Sequence, residues 1–241
     1  MANRNGVKWS REETILAYEL YCRTPFSKIS QSNPEIKKLA ELLGRTPGSV
    51  GLKMHNLAHY DPELKKRNVT AMAHGSKLDG EIFSEFCNDW TELSYQAQEI
   101  RARMQNVEVR EIIDVGDIDD IPPGEYKERV MKNRVGQYFF RMAVLSSYGN
   151  KCCITGMSIA SHIKPWNVCD EKTERTNPCN GLCLNSLHDK VFDRGLITLD
   201  SKLRLIVSKE MKNAEMDQQT RDWFYGYEGK QINLPDKFLP G

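Results

Sequence analysis

The chain has 241 residues, enough for one to two domains with modest hydrophobic cores. Hydrophobic residues make up 39% and charged residues 28%, the balance of a soluble globular protein. No apolar run approaches a membrane span and no basic-then-apolar leader opens the sequence, so a cytoplasmic protein without membrane contact is expected.

The formal net charge of +1 is unevenly spread. Residues 1–80 carry 13 Lys/Arg against 8 Asp/Glu, residues 81–125 carry 3 against 12, and residues 126–241 carry 18 against 13. Two basic ends around an acidic middle are compatible with nucleic-acid contacts at both ends. The seven cysteines are an odd number, so reduced thiols rather than a disulfide framework are expected. Cys152, Cys153, Cys169, Cys179 and Cys183 fall close together but contain no C-x2-C knuckle. They are read as small buried apolar thiols, with structural Zn2+ not expected.

The first predicted helix starts at Ser10, with Glu13 completing a capping box and Ile15, Leu16, Tyr18, Leu20 and Tyr21 forming an apolar stripe. A second helix runs from about Pro34 to Leu43, with Ile36, Leu39, Ala40 and Leu43 on one face and Gly44 as its stop. Thr46 and Pro47 then open a third, with Val50, Leu52, Met54 and Leu57 as inner positions. A helix, a Gly-containing turn and a second helix make a helix-turn-helix pattern, whose second helix normally enters the major groove. With Trp9 ahead of the first helix, the segment resembles Myb-like and other three-helix DNA-binding domains. Ser49, Lys53 and Asn56 are then candidates for base or phosphate contact, and Arg45 for phosphate.

Residues from about 80 to 105 read as helical, with Ile82, Phe83, Phe86, Trp90 and Leu93 spaced for burial. The acidic stretch EIIDVGDIDDIPPGEY, punctuated by Gly and Pro, reads as a linker. A further helix around 126–148 has Val135, Phe139, Phe140, Ala143 and Leu145 as core positions. Its Arg134, Gln137 and Arg141 are candidates for DNA-backbone contact. The late stretch LITLDSKLRLIVS alternates as a β-hairpin, and the tail from about Asn213 reads as a short helix and an irregular extension without recognisable chemistry.

Between these lie YGNKCCITG, ASHIKPW and NPCNGLCLNSLHDKVFDRGLITLD. Taken together, over about residues 130–208, they resemble the HNH endonuclease family, in the branch that contains many restriction endonucleases. The resemblance implies a ββα-metal fold, with His162 as general base, Asn180 as the middle Asn and His188 as the helix histidine that binds one divalent cation. An unperturbed imidazole titrates at roughly 6.5, so it can take a proton from water near neutrality. Asn180 is expected to fix the hairpin or orient His162. The residue before the base is Ser161, where many relatives carry Asp or His, and Phe192 stands where others carry a second His. Asp189 and Asp193 are the nearby carboxylates, Lys164 a phosphate candidate, and Mg2+ or Mn2+ fits so sparse a site.

The expectation is an α+β chain. Residues 1–75 form a helical DNA-recognition domain, 76–125 a helix and acidic linker, 126–212 the nuclease and 213–241 an extension. It would cut double-stranded DNA as a homodimer in restriction of foreign DNA. Two alternatives remain open: a DNA-binding regulator with a decayed HNH domain, or a nuclease component of a larger defence system.

Overall fold

A computed structural model describes residues 6–66, 75–114, 116, 121–155, 159–171 and 173–241, without the side chains of Glu63, Lys66 and Ile159. The chain is α+β and forms two compact units. One comprises Met1–Ala143 with Asp170–Pro178, the other Val144–Cys169 with Cys179–Gly241.

The first unit is helical. Helix α1 (Arg11–Cys22) packs against α2 (Pro34–Leu43) and α3 (Pro47–Ala58). After the short α4 (Pro62–Lys66) it also meets α5 (Lys77–Phe86) and α6 (Trp90–Gln105). The expected capping box is present: the Ser10 hydroxyl accepts from the Glu13 N–H, and the Glu13 carboxylate accepts from the Ser10 N–H. Gly44 takes a left-handed conformation at φ 63° after α2, where a side chain would be strained.

Four expectations need correction here. The single helix predicted over 80–105 is two helices, because Asp89 accepts from the Glu92 N–H and starts α6 afresh. The boundary expected at residue 75 does not set these helices apart from the first three, because both pack on α1. Ile113 and Ile121 join Val135 in an apolar cluster, so the described part of the acidic stretch is not a free connector; residues 115 and 117–120 lie outside the described residues. Leu52, expected inside, is half exposed, because α3 turns Val50, Lys53, Met54 and Leu57 inward instead. After the one-turn α7 (Val109–Ile112), α8 (Glu125–Ser147) gives the first unit Val135, Phe139 and Phe140, with Phe139 stacked on Trp90.

The second unit holds a hairpin, a helix and a second hairpin. Strand β1 (Ile159–His162) pairs antiparallel with β2 (Gly181–Leu184), with His162 opposite Gly181 and Ala160 opposite Cys183. All four β2 residues are buried, which explains a strand written as an unbroken apolar run. Helix α9 (Ser186–Asp193) follows at once and packs on both strands. Strands β3 (Ile197–Leu199) and β4 (Leu205–Val207) form the expected second hairpin, followed by α10 (Lys209–Asn213) and α11 (Gln218–Tyr225). Phe192 touches both apolar clusters of this unit, one around Leu182, Leu184 and Ile232, the other around Ile197, Leu205 and Phe224.

Candidate active site

His162 closes β1, half-buried, with the ring of Trp166 edge-on at 5.5 Å. Its cross-strand neighbour is Gly181, so no side chain stands opposite the imidazole on that face. Asn180, one residue before Gly181, fastens the turn that follows β1. Its Oδ1 accepts from the Lys164 N–H at 2.8 Å, and its Nδ2 donates to the Lys164 carbonyl at 3.3 Å and the Cys169 Sγ at 3.2 Å. Its backbone carbonyl accepts from the Ile163 N–H at 2.9 Å. The amide thus clamps backbone just beyond His162, the first of the two roles expected of it. Lys164 keeps an exposed side chain.

His188 occupies the first turn of α9, whose N-cap Asn185 accepts from the His188 N–H at 2.8 Å and donates to Thr155 Oγ1 at 2.7 Å. Its ring is fully buried. Trp223 stacks on it at 5.7 Å, while Phe224 at 5.6 Å and Tyr227 at 6.5 Å stand edge-on. Among the described residues neither ring nitrogen has a well-aligned hydrogen-bond partner, an uncommon state for a buried polar group.

The Cys152 thiol interacts with this histidine, and its sulfur accepts the backbone N–H groups of Ile154 and Thr155 at 3.4 Å each. Burial pushes this thiol up, but interaction with His188 and with the Thr155 side chain, and the backbone donors, outweigh it and bring its pKa down to about 6. By contrast burial drives the adjacent Cys153 thiol far above its ordinary value. Neither Cys152 nor the aromatic residues after Gln218 stood out in the sequence as parts of a site. The signal available was the cluster WFYGY in an otherwise polar tail.

The carboxylates do not gather. Asp189 is half-buried and Asp193 exposed. Among the described residues no group of three or more His, Cys, Asp or Glu side chains converges to hold a cation, so neither Asp joins His188 in such a group. Of the expected ligands, His188 alone has buried nitrogens with no well-aligned hydrogen bond among the described residues.

Two of the residues expected at a DNA interface are buried in ion pairs. Arg45 forks onto Glu13, Nε to Oε1 at 3.0 Å and Nη2 to Oε2 at 2.8 Å, and donates to the Val7 and Lys8 carbonyls. Lys53 reaches Asp79 at 2.6 Å, and both cations lie over the Trp9 ring, at 4.3 and 4.9 Å. Neither is available to phosphate, because the carboxylates that complete two helix caps also neutralise them. Ser49 and Asn56 are half-buried on α3, and Arg134, half-buried, with Gln137 and Arg141, exposed, lies on α8.

No curated protein and no solved structure matches the chain. The HNH endonuclease family model matches residues 152–200, the segment that contains the β1–β2 hairpin, Asn180 and α9. That segment, 49 of the 241 residues, is similar to HNH endonucleases, which supports a nuclease activity for it.

Proposed function

We propose that this chain is a metal-dependent DNA endonuclease that restricts foreign DNA, with His162 as its general base. The observation that supports this reading is the end of the hairpin. His162 lies opposite Gly181 across the strands, and Asn180 fastens the adjoining backbone, so the backbone that carries the imidazole is held in place. Such a base takes the proton of an attacking water, a contribution typically worth about 10²–10⁴-fold. Asn180 limits the motion of the backbone that carries the base, as proximity requires. Lys164 is placed to steer a phosphate toward it.

His188 would hold the divalent cation, Mg2+ or Mn2+; when bound, it supplies Lewis-acid relief of charge on the phosphate. Cleavage by one such site cuts one strand, so double-strand cleavage calls for a homodimer. With Arg45 and Lys53 internal, DNA recognition by the first unit rests on Ser49 and Asn56 of α3, and on Arg134, Gln137 and Arg141 of α8. The burial of those two cations also favours a second reading, in which the helical unit binds a protein partner of a larger defence system.

Digestion of modified and unmodified genomic DNAs, with sequencing of the cut ends, tests the proposal. The expected outcome is cleavage that differs between the two DNAs and leaves 5′-phosphate ends. Equal, sequence-independent degradation of both would remove the restriction role.

A further inference from the structure

In the helical unit, residues of α2 and α6 and Arg23 line a half-open cavity of about 410 Å³, within the range of small-molecule sites. Arg23, just past α1, and Arg101, on α6, line it, with Leu39 and Leu42 as an apolar wall and Lys38 and Glu35 among its α2 side chains. Both guanidiniums lean on one carboxylate: Arg23 Nε donates to Glu19 Oε1 at 2.6 Å, and Arg101 Nη2 donates to Oε2 at 2.8 Å. Glu19 and Arg101 are buried. Two cations thus share one buried anion. Each guanidinium spends one N–H on Glu19 out of a fork of donors. Burial, with the Arg23 charge adding to it, pulls Arg101 below its ordinary pKa although Glu19 and Glu35 oppose.

Glu35 supplies part of the counter-charge and so competes with a ligand for Arg23. Its carboxylate pairs with Lys38 at 2.9 Å and only approaches Arg23, at 3.7 Å. Glu41, also lining the cavity, is exposed.

We propose that this cavity binds a small molecule bearing a phosphate group, with Arg23 and Arg101 on the phosphate oxygens and the rest of the ligand against Leu39 and Leu42. Phosphate is favoured over carboxylate because two guanidinium forks offer more donors than two oxygens can accept, and fork geometry matches phosphate well. The site is independent of the HNH domain.

Calorimetric titration of the full chain, in chelator and without divalent cation, tests this with phenyl phosphate, inorganic phosphate and benzoate as probes. Phenyl phosphate is expected to saturate one site per chain, more tightly than inorganic phosphate and than benzoate. Arg101→Met should weaken it about tenfold, the scale of one charge-assisted hydrogen bond. Glu35→Gln, which removes the competing carboxylate, should tighten it about threefold, a gain no structural role would give. His162→Ala should leave it unchanged. If Arg101→Met does not fold, Glu35→Gln and the exposed Lys38→Ala, expected to weaken binding, carry the test. No saturable binding, benzoate binding as tightly as phenyl phosphate, or an affinity that Glu35→Gln leaves unmoved would overturn the proposal.

Discussion

The indole of Trp223 lies nearly parallel to the imidazole of His188, 5.7 Å between centroids and 23° between planes. A residue of the C-terminal extension therefore covers a histidine of the HNH motif. Among the described residues the two ring nitrogens beneath it have no well-aligned hydrogen bond, only the Cys152 thiol nearby, and an unsatisfied buried group costs about 1–3 kcal/mol.

A direct consequence concerns His188→Phe. The substitution keeps an aromatic ring among Trp223, Phe224 and Tyr227 while deleting both unsatisfied nitrogens. Thermal denaturation is expected to show stability unchanged or raised by on the order of 1 kcal/mol, while DNA cleavage is lost. A large loss of stability would mean that the imidazole has a structural hydrogen bond.

Asn180→Ala removes the acceptor for the Lys164 N–H and the donor to its carbonyl. A stability loss of about 1–2 kcal/mol is expected, with cleavage reduced because the backbone after His162 is no longer clamped. Asn180→Asp keeps the acceptor and should recover part of both. Denaturant midpoints and initial rates on the same samples check this; full activity in Asn180→Ala would contradict the clamp.

Arg45→Ala strands Glu13 as an uncompensated buried charge, and the expected loss is about 3–5 kcal/mol. Lys53→Met fills similar space but leaves Asp79 unpaired, so it too should destabilise, while the salt dependence of DNA binding by the folded fraction stays as in the parent. A shallower salt slope for Lys53→Met would place that cation on phosphate after all.

For Cys152 the folded chain holds the thiol at about 6, below its ordinary value of about 9. An acid depressed on folding adds stability above its unfolded pKa and loses it as pH falls through the folded one. Stability should therefore decline from about pH 9 toward about pH 6, and Cys152→Ala should flatten that part of the profile. Ultraviolet thiolate absorbance followed against pH, wild type minus Cys152→Ala, gives the midpoint directly; one near 9 would contradict the assignment.

Local chemistry was legible in the sequence and long-range pairing was not. The Ser10–Glu13 capping box and the Gly44 stop are set by neighbours within a few residues, and both are present. The hairpin was legible because the motif around His162 and Asn180 marks strand and turn together, and the register follows. Arg45 and Lys53 looked like outward cations because nothing nearby signals Glu13, 32 residues away, or Asp79, 26 residues away. The cover over His188 was illegible for a similar reason: Trp223 carries no reactive group, and its meaning lies in the ring it stacks upon.

The most direct test of the account is supercoiled-plasmid nicking by wild type and His162→Ala, each with Mg2+ and with Mn2+. The account expects wild type to nick with at least one cation and His162→Ala to be slower by about 10²–10⁴-fold while remaining folded. Wild type inert with both cations, or His162→Ala as fast as wild type, would contradict it.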